Sequence, residues 1–228
     1  MKRGKKYKKI TKNLDRSTTY TLKEGVKKAK ELSYSKFEGT LELHVDLKLP
    51  KDKDPKSLKG GVSLPNATTT KTVRVAVFAT PDIDAKAKEV GADLVGMEKI
   101  ITDVKAGKIE FDVAIATPAA MPKIAILGKE LGPKGLMPNP KNGTVTDDVV
   151  SAVEEYKKGK QTFACDASGV VHMSVGRLNQ EDEKLIENIH SAMSAISTIV
   201  GRSPELMIQR VHLSPTMGPS VKISYSRE

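Results

Sequence analysis
What this chain of 228 residues lacks narrows its function before any motif is read. It has one cysteine, Cys165, so no disulfide can close within it and no cysteine cluster can hold zinc. Its apolar runs fall far short of the roughly 20 residues a membrane helix needs. No apolar stretch of signal-peptide length follows the opening segment "MKRGKKYKKITK". The expectation is a cytoplasmic protein with no membrane partner. Nucleotide-binding turns are missing too. No glycine-rich turn follows "VRVAVFAT", so a pyrophosphate finds no backbone to approach. "LGKELGPKGLMPNPKNG" is rich in glycine and lysine without the phosphate-loop spacing, and no G-x-S-x-G occurs. His44, His172, His190 and His212 show no metal-ligand spacing, and His172 stands seven residues from Cys165, a spacing that matches no known site. With no nucleophile–base or metal set to assemble, the reading is a protein that is not an enzyme and needs no cofactor.

Negative charge is the other shortage, and it is local. The formal net charge is +10. Residues 67–158 carry 13 Lys and Arg against 13 Asp and Glu, and residues 159–228 carry 7 against 7. Residues 1–66 carry 18 against 8 and so hold the whole excess. The first twelve residues have seven positive charges and no negative one. Such an arm releases counterions when it meets a polyanion, which points to nucleic acid.

The pattern of elements changes twice along the chain. "TYTLKEGVKKAKEL" reads as a helix, with capping-box spacing at Thr21 and Glu24 and with Leu22, Val26, Ala29 and Leu32 on one face. "GTLELHVDLKL" alternates: Leu41, Leu43, Val45, Leu47 and Leu49 face one way, and Thr40, Glu42, His44, Asp46 and Lys48 the other. A charged loop is expected at 50–60. From about residue 67 buried strands alternate with helices, through "TVRVAVFAT", "DIDAKAKEVGA", "DLVG", "MEKIITDVKAG", "FDVAIATP", the interrupted helix "AAMPKIAILGKELG" and "DDVVSAVEEYKKG", which favours a parallel α/β unit. One-sided strands return in "GVVHMSVGRL", with Val171, Met173 and Val175 opposite His172 and Ser174. A helix over 181–200 follows, then "MIQRVHL" and "VKISYS". The simplest architecture is a discontinuous α+β domain of 1–66 and 159–228 with an α/β domain of 67–158 inserted.

Two surfaces invite a partner. "ILGKELGPKGLMPNPKNGTVT" packs glycines and prolines so densely that no helix or strand is expected through it, and Lys129, Lys134 and Lys141 can reach phosphates from it. The polar side of the strand after "SKFEGT", with Lys36 and Phe37 ahead of Thr40, Glu42 and His44, suits an RNA groove as well as it suits an ordinary exposed sheet. Near the end, "SPTMGPS" is an uncharged kink between two strands. Gly218 there lets backbone approach a nucleotide, Pro215 and Pro219 stiffen the turn, and Met217 can pack on a base or sugar.

These stretches carry a resemblance. "ILGKELGPKGLMPNPKNGTVT", "KFEGTLELHV" and "TMGPS", with "GVSLP", "GADLVG", "FDVAIATP" and "GVVHMSVGR" between them in order, closely resemble the L-one family of ribosomal proteins over essentially the whole chain. The basic N-terminus and the Gly/Pro loop resemble its bacterial form. The resemblance implies a split α+β domain with a split β-α-β-like sheet and an inserted Rossmann-like α/β domain without cofactor. It implies binding to large-subunit ribosomal RNA at the mobile side stalk, contact with exit-site tRNA and its release, and repression of the protein's own messenger RNA leader by a monomer outside the ribosome. Residue by residue, Lys36, Phe37, Thr40 and Glu42 resemble the family's first RNA-facing strand, and His172, Gly176 and Arg177 its second. Thr216, Met217 and Gly218 resemble the triplet that lies against RNA, with Pro219 and Ser220 beside it. Lys5, Lys6, Lys8, Lys134 and Lys141 are expected as secondary RNA contacts. One departure stands out: where family members have an "HGTGK"-like segment, this chain has "NATTTK", so a stiffer or shifted hinge is expected there.

Overall fold
Thr21 begins the first core helix for a local chemical reason. Its hydroxyl accepts from the Glu24 amide while the Glu24 carboxylate accepts from the Thr21 amide, so two of the helix's orphan donors are satisfied reciprocally. The computed structural model describes residues 4–12, 14–15, 18–49, 54–66, 73–79, 81–157, 159–201 and 204–225. The "NATTTK" departure therefore lies outside the described residues beyond Asn66, as do the first three residues of the basic arm.

In chain order the elements are α1 (Lys5–Thr11), α2 (Leu22–Glu31), β1 (Thr40–Leu47), β2 (Lys59–Val62), β3 (Val75–Phe78), α3 (Pro81–Glu89), β4 (Leu94–Val95), α4 (Met97–Lys105) and β5 (Val113–Ala116). There follow α5 (Met121–Ile124), α6 (Gly128–Leu131), α7 (Val149–Lys157), β6 (Gln161–Ala164), β7 (Val170–Arg177), α8 (Asp182–Val200), α9 (Pro204–Met207), β8 (Ile208–Pro215) and β9 (Val221–Ile223). Two compact units result, one of Met1–Thr69 with Phe163–Glu228 and one of Thr70–Thr162. Among the described residues no helix is long and apolar enough to cross a membrane.

The first unit is organised by a four-stranded sheet of order β7-β1-β8-β9, antiparallel throughout. Because β7 and β8 both oppose β1, they run parallel to each other and are joined through α8, giving a β-α-β unit split by β1. Alternation in β1 buries Leu41, Leu43, Val45 and Leu47 against α2 and α8 and leaves the other face polar. Burial of such side chains contributes about 1.5–3 kcal/mol each, which is what pins the register. A bulge interrupts β7: Leu41 lies opposite Gly176 while Glu42 lies opposite Ser174, so Val175 is the extra residue. Val175 and Gly176 consequently both face inward. A strict period of two from His172 puts Gly176 outward and Arg177 inward; the bulge reverses that phase.

The second unit holds a parallel sheet of order β4-β3-β5, covered on both faces. Ala76, Phe78, Ala114 and Ala116 face Ile100, Val104, Leu127 and Leu131, while Val75, Val77 and Ile115 face Ala87, Val149, Val153 and Tyr156. Two buried faces explain why β3 and β5 are continuously apolar in sequence.

Three features differ from the sequence reading. The basic arm contains a helix, α1. At the end of the expected charged loop the strand β2 begins, and it pairs with β6. Gly60 belongs there because a Cβ on it meets Ile199 Cδ1 at 2.1 Å. The Gly/Pro stretch is also no loose surface turn. After α6, Pro138 is buried, Leu136 and Met137 pack on the core, and Gly135 and Gly143 take the left-handed backbone that turns the chain.

One buried polar side chain ties the first unit together. Asn188 on α8 is fully buried. Its oxygen accepts from the Asn66 N–H at 3.0 Å, and its amide donates to the Asn66 carbonyl at 2.9 Å and the Val175 carbonyl at 2.7 Å. A bulge leaves its extra residue outside the ladder, and Asn188 supplies the missing partner. Asn188→Leu strands all three backbone groups, so a loss of about 2–4 kcal/mol is expected in urea unfolding. An unchanged midpoint would contradict this role.

Candidate nucleic-acid interface
The outward face of the four-stranded sheet is built from the residues that alternation excludes from the core. It carries Thr40, Glu42, His44 and Asp46 of β1, His172 and Ser174 of β7, Arg210, His212 and Ser214 of β8, and Lys222 of β9. At one end the chain leaves β8 and turns through Thr216–Ser220. Thr216 fastens this turn to β1. Its N–H donates to the Thr40 carbonyl at 2.9 Å, and its hydroxyl oxygen accepts from the Thr40 N–H at 3.2 Å. The same oxygen lies 3.0 Å from the Thr40 carbonyl and 3.1 Å from Glu42 Oε1, so the hydroxyl proton has two acceptors in reach. The turn is also held from α2's exit, where the Tyr34 N–H donates to the Met217 carbonyl.

The structure thus gathers Thr40, Glu42, Arg177, Thr216 and Met217 at one end of the sheet. Arg177 opposes Thr40, and its guanidinium donates to the Glu38 carbonyl at 3.2 Å, which aims it along the segment that precedes β1. Phe37 on that segment is 61% exposed and Met217 is 40% exposed, two of the few large apolar side chains left in water. Lys36 and Ser220 are exposed as well. Exposed apolar groups flanked by cations suit stacking on bases with phosphates alongside.

Two expected contact residues are corrected. Gly176 is buried, because the bulge turns it inward, where a Cβ lies 2.4 Å from Leu185 Cδ2. Pro219 is buried too and holds the turn from within. Gly218 is required for a reason other than ligand approach: a Cβ there lies 2.5 Å from the Pro215 ring and 2.8 Å from the Leu32 carbonyl oxygen. The glycine lets the turn close onto the end of α2.

The secondary lysines divide between the units. Lys5, Lys6 and Lys8 are exposed on α1, beside a groove of about 220 Å³ lined by Tyr7, Tyr20, His212, Ser220 and Lys222 among others. Lys134 and Lys141 are exposed in the second unit, the latter after Asn139, whose side chain accepts from the Lys141 N–H. Among the described residues no group of three or more His, Cys, Asp or Glu can hold a metal ion.

Sequence reasoning missed two features here. Asn188 sits on the apolar stripe of α8 one turn from Leu185, and a polar residue on such a stripe is a legible sign of a buried hydrogen bond. The other is a pair formed by His44 and His172, whose Nδ1 atoms lie 2.8 Å apart. His44 titrates below its ordinary value because it is buried and faces His172, with Glu42 opposing. His212 is lowered by burial and then by Arg210 and Lys222.

A split antiparallel sheet, apolar under two helices and polar on its open face, makes the first unit of this α+β protein a platform for a partner. The family model for the Ribosomal protein L1p/L10e family matches residues 26–219, and the chain belongs to that family. It is 43% identical over 225 residues to the large ribosomal subunit protein uL1 of Thermosipho melanesiensis, covering 98% of this chain and 97% of that one. It is likewise 43% identical over 224 residues to that of Thermosipho africanus, covering 97% and 96%.

Gly218→Ala should cost about 1–3 kcal/mol of stability, because the turn must back away from a carbonyl that cannot yield cheaply. Ser220→Ala, at an exposed position of the same turn, should stay within about 0.5 kcal/mol. Thermal or urea unfolding of the two variants checks the contrast.

Proposed function
We propose that this protein is a structural constituent of the large ribosomal subunit, in the cytoplasmic ribosome, and that it binds large-subunit ribosomal RNA through the end of the sheet described above. The observation that carries this reading is the staple between Thr216 and Thr40, which draws Lys36, Phe37, Thr40, Glu42, Arg177 and Met217 from three distant stretches into one surface. Its role is not catalytic. The basic first third attracts RNA in a salt-dependent way, and the uncharged turn makes close contacts that depend on shape. The names of the relatives support the ribosomal assignment.

The finer reading follows the family resemblance. The protein sits at the mobile side stalk, assists release of deacylated exit-site tRNA, and as a monomer outside the ribosome represses its own messenger RNA leader. Its two compact units act as separate domains, the second a Rossmann-like α/β domain; the parallel β4-β3-β5 order supports that comparison.

Met217→Asp tests the surface. A carboxylate there faces phosphates without a partner, and specific binding to a stalk fragment of ribosomal RNA should weaken by about 2 kcal/mol, or about thirtyfold. Wild-type affinity in that variant would sink the assignment, and equal affinity of the wild type for stalk and random RNA would make it a general RNA chaperone instead. Replacing 67–158 by a short linker should leave a folded fragment that still binds the stalk RNA; a folded fragment that does not bind would move recognition to the second unit.

A further inference from the structure
The polar face carries a row of histidines of which the RNA reading uses only His172. His172, His44 and His212 are cross-strand neighbours on β7, β1 and β8. The rings of His44 and His172 meet edge to face, with centroids 5.0 Å apart. Their Nδ1 atoms are 2.8 Å apart, and such a contact holds only when one proton lies between the two nitrogens. Each outer nitrogen looks toward a carboxylate: His44 Nε2 is 3.8 Å from Glu42, and His172 Nε2 is 3.6 Å from Asp166. A carboxylate favours an N–H over a bare lone pair, so the arrangement that satisfies every contact has three protons on four nitrogens and one shared positive charge. A fourth proton sets two N–H groups head to head at 2.8 Å and forces the rings apart. The two rings therefore share their protons, and the last one is the hardest to add.

Its surroundings oppose that last proton in the free protein. The groups facing the pair are Glu42 from β1, Asp166 from the turn before β7 and His212 from β8, and His212 in turn faces Arg210, Lys222 and Asp46. Arg210 is engaged with Asp46 at 3.1 Å. The side chain of His44 is 24% exposed, so a second charge there is poorly hydrated, whereas that of His172 is 53% exposed and open to a ligand. Burial and the facing ring both lower His44, in agreement with an excluded fourth proton. An anion arriving at His172 changes that balance, because it offsets the second charge and accepts a hydrogen bond from the freed N–H.

We propose that the His44–His172 pair is a proton-accepting phosphate contact: an RNA phosphate docking at His172 draws the fourth proton onto the pair, the rings separate, and both become cationic donors. This rests on the proposed reading that RNA binds at the end of this sheet, and extends that surface along the open face to His172. It adds that binding consumes a proton and that affinity climbs as the pH falls below neutrality, by at most about tenfold per pH unit for one proton. His44, which the family motifs leave unassigned, becomes the residue that sets the pH window.

The test compares the intact wild type with His44→Gln, which keeps a polar side chain at a half-buried site and leaves His172 single. Affinity for the stalk fragment of ribosomal RNA is measured at constant salt from about pH 7.5 to about pH 5. In the wild type it should keep rising by about fivefold to tenfold below about pH 6.5, whereas in His44→Gln it should level off near about pH 6, where a lone imidazole is already charged. In the free protein, ring signals of His44 and His172 followed by NMR should move together in two steps, and His172 should show a single step in His44→Gln. If the wild type binds no RNA at any pH, the RNA reading falls and takes this inference with it. If it binds, but shares one pH profile with His44→Gln, or if the free rings titrate independently, the inference alone is overturned.

Discussion

The buried amide of Asn188 is the constraint on which the first unit depends. From its helix it reaches two places: the bulge in β7, and the backbone of Asn66 where the chain leaves the unit. The bulge is what turns Gly176 inward and brings Arg177 out beside Thr40. A bulge without a partner for its freed carbonyl is costly in an interior of low dielectric, so β7 and α8 are coupled through one side chain. The polar face owes its layout to a residue that never touches it.

Charge and shape are separated along this molecule. The excess of positive charge lies wholly in residues 1–66, part of it on α1, while the turn of Thr216–Ser220 contains no charge at all. Long-range attraction falls off over about 8–10 Å at physiological salt, so in the proposed RNA reading the arm governs encounter and the turn governs fit. Gly218, Pro219 and Thr216 spend their chemistry on the turn's own geometry, which leaves Met217 as the large apolar side chain presented outward. Preorganisation of this kind lowers the entropy lost on binding, because the turn is already in place before a partner arrives.

Local signals were legible in the residues, and tertiary ones were not. The capping box at Thr21, the alternation of 41–47 and the helical stripe of 182–200 depend on spacing alone, and the structure has them where spacing puts them. The strand β2 was hidden because "KGGV" has no strand signature; Gly60 is there to admit Ile199, a contact 139 residues away in the chain. The phase of Gly176 and Arg177 was hidden because a bulge leaves no mark on a period of two. The exposure of Phe37, left open by composition, appears only in the fold. The surface residues themselves came from the family resemblance, and the face that unites them appears only with the register of β1 against β7 and β8. The same holds for His44 and His172, which lie 128 residues apart and become partners through that register.

The bonds between Thr40 and Thr216 join residues 176 positions apart. During synthesis the first strand of the platform is finished early and then waits for almost the whole chain. A nascent or truncated product that stops before Thr216 has its basic arm and its sheet centre but not the staple that closes the end of the platform. That end is completed only late in synthesis, through the order of the segments alone.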